Sequence, residues 1–428
     1  MPFRRLGGIP LIFLGLGALA LGQGKAAPAP TPVARVDLDQ AIRLALAQSP
    51  ALAAARTQVP QSQANEVTAN LRPNPILSWD ALFLPVFNPS NFTATYLNNV
   101  AEYDAGVSYT IERGHKRQAR LRAAQDATTV VRSQVADAQR GLTFGVAQQF
   151  VAVLLARSSL AFAQQDLASW QNTVNISQSQ YHAGALSEGD LDTIKLQTLQ
   201  FQTTVSGDRL ALNQSLSGLR QQVGFGALAP NFDVVGKLAY LPVQAGLGDL
   251  QALALQHRPD LLAARQAVTA AQSQHRLAQA NGKRDLTVNT QYSHVGAVND
   301  LGVLFNIEIP IFDRNQGEIA RTAAATTQAQ DLAQVASQQV LTDVSMAYAA
   351  VQQGEQVLQL YTSGYRDQAK QALDIRQYSY TRGASSLLDL LDAERTYRAT
   401  ELGYRQALAT YMLAVEQLKE AVGTRNLP

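Results

Sequence analysis

Two long segments without proline limit what this chain can fold into more than any other feature of its sequence. They run from about Gln118 to His182 and from Gly317 to Arg382. Proline is tolerated in a helix only at its first turn, so each segment of roughly 65 residues permits one helix of roughly 100 Å, at about 1.5 Å per residue. Helices of that length do not fit inside a compact domain. The sequence therefore predicts an elongated, mainly α-helical molecule.

Each proline-free segment ends in a glycine-containing stretch and is followed by a second predicted helix. The stretches are YHAGALSEGDL at 181–191 and YTRGASSLLDL at 380–390, so Gly184 and Gly383 are the predicted turns at the tips of two long helical hairpins. Mostly apolar residues then recur at alternating intervals of four and three, which is the repeat of helices packed as a coiled coil. In the second hairpin these positions are Leu390, Glu394, Tyr397, Glu401, Tyr404, Leu408, Tyr411, Val415, Leu418 and Val422.

The chain contains the same unit twice. LDQAIRLALAQSPALAAAR (38–56) resembles LGDLQALALQHRPDLLAAR (247–265), and GLRQQVG (218–224) resembles QLKEAVG (417–423). A long internal repeat means that one structural unit is built twice and packed against itself. The predicted organisation is a signal peptide (1–27), an N-terminal linker (28–37), a first repeat (38–224), a linker (225–246), a second repeat (247–423) and a C-terminal tail (424–428).

Each unit also contains two segments in which apolar and polar residues alternate, and these predict one β-hairpin per unit, at 76–111 and at 286–311. The connecting loop is longer in the first unit (85–99) than in the second (296–300). Short helices precede each hairpin, at about 38–48 and 51–70 in the first unit and 247–257 and 260–280 in the second. In the second hairpin, one face is predicted to carry Leu286, Val288, Thr290 and Tyr292 with Leu301, Val303, Phe305, Ile307 and Ile309.

Four strands of about ten residues, each apolar on one face, have the length of membrane-spanning strands. Four strands cannot close a barrel, because small barrels need about eight, and open sheet edges are not tolerated in lipid. Three copies of the chain would supply twelve strands, an even number within the bacterial range.

The N-terminus has the features of a secretory signal. Arg4 and Arg5 precede an apolar run from Ile9 to Leu21, and small residues follow as far as Ala27, with cleavage expected between Ala20 and Ala27. A buried N-terminal helix is the alternative. The run is too short to span a bilayer as a helix, and no later stretch has about 18 continuous apolar residues, so no transmembrane helix is expected in the mature chain.

Composition excludes several function classes. The chain has no cysteine, which excludes disulfides, thiolate metal sites and lipidation on an N-terminal cysteine. Its 35 basic and 33 acidic residues nearly balance, so no nucleic-acid partner is predicted. The 5 histidines show no metal-ligand spacing, and no nucleophile elbow or phosphate loop is present, so we expect no metal site, no cofactor and no enzymatic activity. A basic run at 113–122 is interpreted as a solvated or lipid-facing collar near lipid headgroups.

The duplicated unit and the tip motifs together resemble the outer-membrane factors of the TolC family, from about Leu38 to Gly423. The resemblance implies a homotrimer with a twelve-stranded β-barrel in the outer membrane, continued through the periplasm by a long coiled-coil α-helical barrel. It implies a passive exit duct of a tripartite efflux system, with a periplasmic adaptor protein and an inner-membrane pump as partners. IERGHKRQARL (111–121) and IPIFDRNQGEI (309–319) resemble the heavy-metal cation branch, of the cobalt–zinc–cadmium type. The cargo would then be heavy-metal cations or drugs.

The resemblance also implies roles for residues at the tips. Asp389 and Asp392 match the acidic rings of the family's entrance, and Tyr380 and Asp190 match a lock that holds the entrance closed. The family's arginine in that lock is replaced by Ser385, although Arg382 stands nearby. The structural alternative is that the tip carboxylates cap a helix, since acidic groups stabilise a first turn. Glu394 falls on the packing seam and is expected to be structural.

Three alternative functions stay open at the level of sequence. A periplasmic adaptor also uses long helical hairpins, but a single hairpin within β-rich domains is expected there, whereas this chain has two hairpins in tandem. A type I secretion outlet would use the same duct. A filamentous coiled-coil protein leaves the four predicted strands unexplained.

Overall fold

The structure, a computed structural model, describes residues 33–428. The predicted signal peptide and most of the N-terminal linker lie outside the described residues. The first unit begins with a short strand, three helices and a pair of strands around a small helix; these elements are β1 (Val33–Val36), α1 (Leu38–Gln48), α2 (Pro50–Arg56), α3 (Gln58–Ala69), β2 (Ile76–Leu82), α4 (Ala94–Asn99) and β3 (Glu102–Ile111). A long helical hairpin and a strand complete it: α5 (Lys116–His182), α6 (Glu188–Val223) and β4 (Leu228–Val234).

The second unit repeats this order without counterparts of the small helix α4 and of the strands β1 and β4, which lie in the segments predicted as linkers. Its elements are α7 (Leu247–His257), α8 (Pro259–Asn281), β5 (Leu286–Val295), β6 (Val298–Ile307), α9 (Gln316–Leu360), α10 (Arg366–Thr381) and α11 (Leu387–Val422). The 67 residues of α5 correspond to a rod of roughly 100 Å. The elongated, mainly helical architecture predicted from the proline-free segments is therefore confirmed.

Four strands, two from each unit, form one antiparallel sheet in the order β2-β3-β5-β6. Its register aligns the alternating residues of all four strands, so that Trp79 lies opposite Ala105, Ala105 opposite Tyr292, and Tyr292 opposite Leu301. Neighbouring rows on this face pair Val107 with Thr290 and Thr290 with Val303. The sheet therefore has one apolar face, as the period-two pattern predicts.

This apolar face is exposed, whereas part of the polar face is covered. Trp79 is 74% exposed and Leu301 is 73% exposed. On β3, Val107 of the apolar face is also exposed, while Asp104 of the opposite face is buried. Water-soluble sheets bury the apolar face, so this inverted pattern is that of a sheet whose apolar face contacts lipid.

Two strand boundaries differ from the prediction. The predicted loop 296–300 is a two-residue turn at Gly296 and Ala297, both with positive φ, and β6 already begins at Val298. Two consecutive residues with positive φ match the twist of paired strands, so the residues after the turn pair at once with β5. Ile309, predicted to extend the strand face, follows the end of β6 at Ile307.

Two predicted helices are interrupted. The helix expected over 51–70 breaks at Thr57 into α2 and α3. The helix expected over 317–382 breaks at a π-helical turn, Tyr361–Tyr365, where Gly364 has a φ of 112°. Only glycine adopts that conformation without strain, so the sequence allows a kink here that the absence of proline does not predict.

The helical hairpins pack through three apolar clusters. One lies in the first unit around Val146, Leu219 and Leu228, and another lies in the second unit around Val344, Tyr411 and Leu418. The third, near the tips, joins both hairpins and includes Trp170, Phe201 and Tyr380. The predicted seam of α11 is confirmed at its buried positions, which are Leu390, Glu401, Leu408, Tyr411, Leu418 and Val422.

One described helix, α5, contains a stretch long and apolar enough to cross a membrane by length and composition alone. Half of that stretch is buried inside the structure. Packing inside the structure accounts for the buried apolar side chains of this stretch. The expectation that no helix of the mature chain spans the membrane stays a prediction.

Candidate functional site

The two hairpin tips share one backbone geometry. Gly184 has a φ of 72° and Gly383 has a φ of 73°. The amide of Ala185 donates to the carbonyl of Gln180 at 2.8 Å, and the amide of Ala384 donates to that of Ser379 at 2.9 Å. A glycine in the left-handed conformation, followed by a residue whose amide bonds the carbonyl five residues earlier, is a common helix C-terminal cap. Duplicated glycines at matching positions therefore end both outgoing helices and reverse the chain.

Asp389 takes part in capping α11. Its Oδ2 accepts hydrogen bonds from the Ser386 hydroxyl at 2.8 Å, the Ser386 amide at 3.2 Å and the Ser385 hydroxyl at 3.2 Å. The Ser386 hydroxyl accepts in return from the Asp389 amide at 3.2 Å. The hydrogen bonds from Ser386 and Ser385 lower the pKa of Asp389, so the carboxylate stays charged at neutral pH. Asp389 therefore has the helix-capping role that is the structural alternative to an acidic ring.

Asp392 lies one turn further along α11 and is more open. Its Oδ1 accepts from the Arg395 guanidinium at 3.0 Å, and both side chains are mostly exposed. An exposed ion pair within one helix contributes little to stability. Asp392 and Asp389, three residues apart on the same helix, therefore place two carboxylates on neighbouring positions of one surface.

Tyr380 links the two helical hairpins. Within the described residues of one chain, its hydroxyl does not contact Asp190. Tyr380 is only 5% exposed, and its hydroxyl lies 3.3 Å from the Ser177 hydroxyl of α5. Asp190 instead bonds the N-cap of α6: its Oδ2 accepts from the Ser187 hydroxyl at 2.8 Å, and that hydroxyl accepts from the Asp190 amide at 3.1 Å. A second link runs from the Gln180 amide group to the Thr381 carbonyl at 3.2 Å. A lock formed by Tyr380 and Asp190 stays a prediction.

The remaining predicted tip residues lie at the surface. Arg382 is exposed, and its guanidinium lies 5.4 Å from the ring centre of Tyr378 on the preceding turn. Ser385, which stands where the family has its arginine, donates its hydroxyl hydrogen bond to Asp389. Neither side chain reaches Asp190 among the described contacts.

A buried charged cluster above the tip is a feature that the sequence pattern did not identify as a site. Asp166 of α5 is 6% exposed, and its Oδ2 lies 2.8 Å from Nε of Arg398 on α11. Glu394 lies one turn before Arg398 on the same helix. Burial, together with the adjacent Asp166, raises the pKa of Glu394 to about 8. The only sequence signal was a carboxylate on the coiled-coil seam, which we interpreted as structural.

Over residues 33–428, no group of three or more His, Asp or Glu side chains is arranged to hold a metal ion.

The family model described as "Outer membrane efflux protein" matches residues 41–224 and 250–424, which is most of the chain. The chain belongs to the outer membrane efflux protein family. The first matched segment lies within the first predicted repeat and the second ends one residue beyond the second repeat. The resemblance to the TolC family is confirmed. This family is one of outer-membrane efflux channels, and that is the function of this protein. The sequence alternative of a periplasmic adaptor is thereby wrong.

Curated relatives cover most of this chain. The cobalt-zinc-cadmium resistance protein CzcC of Cupriavidus metallidurans is 25% identical over 390 residues, covering 88% of this chain and 88% of that protein. The outer membrane protein TolC of Vibrio cholerae is 24% identical over 351 residues, covering 75% of this chain and 76% of that protein.

Solved structures share the fold. A membrane protein from Pseudomonas aeruginosa superposes with a TM-score of 0.77 at 18% identity, over 90% of this chain and 92% of that chain. The channel CusC superposes with a TM-score of 0.74 at 20% identity, over 90% of this chain and 92% of the other. The fold is therefore that of the outer-membrane efflux channels, in which strands and long helices continue one another.

Proposed function

We propose that three copies of this chain close a twelve-stranded barrel in the outer membrane and form the exit duct of a tripartite efflux system. The observation that carries the proposal is the four-stranded sheet. Its outer strands β2 and β6 each pair on one side only within the described chain, and most of its apolar face is exposed. Pairing β2 of one copy with β6 of the next removes every edge and turns the apolar face outward to lipid.

The same three-fold arrangement turns the tip carboxylates into rings. Asp389 and Asp392 would each be present three times around the axis of the helical barrel. Rings of carboxylates attract cations and repel anions, and their field is strong where a pore is narrow. We therefore infer an acidic periplasmic entrance that faces an adaptor protein and an inner-membrane pump. We also infer that the chain is exported by its N-terminal signal and is not lipidated on cysteine.

Heavy-metal cations are the cargo that we favour. The relative CzcC, matched over 88% of both chains, is named for cobalt, zinc and cadmium resistance, and an acidic entrance suits cations. A second candidate rests on a different match: the pyoverdine export outer membrane protein OpmQ of Pseudomonas aeruginosa is 24% identical over 424 residues, covering 90% of this chain and 85% of that protein. By that match, a pyoverdine-type siderophore would be the cargo.

Assembly and selectivity are tested on detergent-purified protein. The mass of the protein after correction for detergent should equal three chains, and reconstituted channels should conduct cations better than anions. Asp392→Asn should reduce the cation preference and the block by divalent ions added on the periplasmic side. Asp374→Asn, an exposed carboxylate elsewhere on the second hairpin, is the matched control. A monomer, or a selectivity unchanged in Asp392→Asn, contradicts the proposal.

The cargo is tested in cells. Deletion of the gene should sensitise the cells to cobalt, zinc or cadmium, and the wild-type gene should restore resistance. Sensitivity confined to conditions that require siderophore export would favour the second candidate. A deletion strain as resistant as the parent to every metal tested, with normal siderophore export, would contradict both cargo proposals.

A further inference from the structure

A group of cations lies at the point where the strands of the first unit meet the long helix α5, and the efflux function gives it no role. We name Arg72, Arg113, Lys116 and Arg117 the basic collar. Arg72 precedes β2, and the other three follow the end of β3 at Ile111. The chain thus brings four positive charges together at one end of the sheet, although its net charge is only +2.

Neighbouring cations of the same segment are neutralised, whereas most of the collar is not. Lys116 lies 2.8 Å from Asp285, and Arg120, outside the collar, lies 2.8 Å from Glu112. Among residues 33–428, the guanidinium groups of Arg72, Arg113 and Arg117 make no ion pair with a carboxylate. Unpaired guanidinium groups gathered at one place repel each other unless an anion lies between them.

Three of the four collar residues, Arg72, Lys116 and Arg117, line a shallow cleft of about 270 Å³. Tyr109 and Ile111 line the same cleft and supply apolar surface. Glu112 also borders the cleft, but its carboxylate is already bound by Arg120. The cleft therefore offers cationic donors beside an apolar surface.

That apolar surface continues the face of the sheet that contacts lipid. Tyr109 lies opposite Val288, and Ile111 lies opposite Leu286, in the same register rows as the apolar residues of β6. The cleft thus begins where the lipid-facing surface ends, on the side of the sheet from which the long helices leave. A ligand in it would have its polar group at the collar and its apolar part along Tyr109 and Ile111.

We propose that this cleft binds the headgroup phosphate of an anionic phospholipid in the periplasmic leaflet of the outer membrane. Guanidinium groups bind phosphate oxygens through paired, charge-assisted hydrogen bonds, and the acyl chains would extend along the apolar strand surface. Headgroups that carry an ammonium group are disfavoured, because the ammonium would lie among guanidinium groups. The proposal rests on the proposed barrel, whose apolar face it takes to be in contact with lipid.

The test measures lipid retention by the assembled protein. The channel is reconstituted in bilayers of equal parts phosphatidylglycerol and phosphatidylcholine, extracted in mild detergent, and weighed with its bound lipid by native mass spectrometry. Wild type should retain phosphatidylglycerol over phosphatidylcholine. The Arg72→Gln/Arg117→Gln variant should retain about tenfold less phosphatidylglycerol, because two charged phosphate contacts are lost. Arg72→Lys/Arg117→Lys should retain an intermediate amount, since lysine keeps the charge without the paired geometry.

Matched controls separate this site from general attraction and from misfolding. Arg209→Gln removes an exposed guanidinium on α6, far from the strands, and should leave lipid retention unchanged. Glycerol phosphate, which has the headgroup without acyl chains, should not displace the lipid at equal concentration if both the cations and the apolar surface of the cleft are used. Equal retention of phosphatidylglycerol by wild type and the double glutamine variant would overturn the proposal.

Two further outcomes would also overturn it. If the double variant loses its oligomeric mass while wild type shows no lipid preference, the cleft is covered by a neighbouring copy. If glycerol phosphate displaces the lipid fully, the site is one for free phosphate. Conductance and mass of the wild-type protein report on the proposed channel itself, so a failed barrel and a failed lipid site give different results.

Discussion

Asp166 and Arg398 face each other across the two helical hairpins, with Asp166 Oδ2 2.8 Å from Arg398 Nε. The cluster around them holds more carboxyl groups than cations. Glu394 of α11 lies close enough to interact with Asp166, and Asp208 of α6 lies close enough to interact with Arg398. The charge of Lys370 on α10 acts on Glu394 in the opposite sense and lowers its pKa. Burial raises the pKa of Asp166 as well as that of Glu394, so it favours the protonated form of both carboxyl groups.

The first prediction is that packing between the hairpins weakens as pH rises. Burial and Asp166 raise the pKa of Glu394 from 4.5 to about 8. Below the ordinary pKa the group is protonated whether packed or not, and pH has no effect. Between the two values the packed form must hold a proton that the unpacked form releases, so stability falls as pH rises through this range. The thermal unfolding temperature should therefore be higher near pH 5 than near pH 8.

Trp170 provides a local probe for this prediction. It is buried beside the cluster, where its ring stacks on Phe201 at 5.2 Å, and the Arg398 guanidinium lies 4.4 Å from that phenylalanine ring. Its fluorescence is followed during unfolding in a Trp79→Phe background. Glu394→Gln should remove most of the pH dependence, because the amide stays neutral, while Asp392→Asn should retain it. A wild-type slope in Glu394→Gln would contradict the assignment.

The second prediction concerns the kink in the second hairpin. Gly364 has a φ of 112°, and no atom would contact a Cβ added there. Gly364→Ala should nevertheless destabilise the protein by about 1 kcal/mol or more, because alanine is strained at that φ, or it should straighten the helix. Gly207→Ala is the matched control, since Gly207 is also unobstructed but lies inside α6; it should stabilise by roughly 0.5–1 kcal/mol. Equal effects of the two substitutions, measured by thermal unfolding, would contradict the role of φ.

The sequence predicts those parts of the fold that produce a periodic pattern. The seam of α11 and the apolar face of the sheet leave regular spacings, because each residue of the pattern is buried or in lipid for the same reason. Pairing between distant segments leaves no such pattern. The parallel contact of β1 with β4, which joins Val36 to Val234, was therefore not predicted. Both strands are short, and they lie in segments that we interpreted as linkers.

The candidate site was predictable only in part, for a related reason. Gly184 and Gly383 have a conformational signature, and their turns occur where the sequence indicates. The partner of the Tyr380 hydroxyl is set by how two hairpins lie against each other, and a serine such as Ser177 on a long helix has no distinguishing pattern. No sequence pattern predicts the charged pair of Asp166 and Arg398 either, because its members come from different units.

The third prediction concerns the orientation of the barrel. The insertion between β2 and β3 contains a short helical turn, Pro89–Asn91, followed by α4. It contacts the turn between β5 and β6, because the Ala297 amide donates to the Asn98 carbonyl at 3.0 Å. Both connections lie at the end of the sheet away from α5 and α9. An epitope inserted at Asn91 should therefore bind antibody on intact cells, whereas one at Gly184 should need permeabilised cells. The reverse pattern would mean an inverted channel.

The last prediction distinguishes two partners for Tyr380. In the structure its hydroxyl lies 3.3 Å from that of Ser177, while Asp190 bonds Ser187 at 2.8 Å. Tyr380→Phe should cost about 0.5–1.5 kcal/mol and raise the open fraction of reconstituted channels, because it removes a buried bond between the hairpins. Ser177→Ala should have the same effect, and the double variant should add little to either single change.

Double-mutant cycles make the comparison quantitative. Coupling between Tyr380→Phe and Ser177→Ala, with additive effects of Tyr380→Phe and Asp190→Asn, is the result expected from the contacts within one chain. Tyr378→Phe, which changes an exposed tyrosine two residues away, should leave the conductance unchanged. Strong coupling of Tyr380 to Asp190 and none to Ser177 would instead show that the lock implied by the family resemblance forms in the assembled channel, since that contact is absent from the described contacts of a single chain.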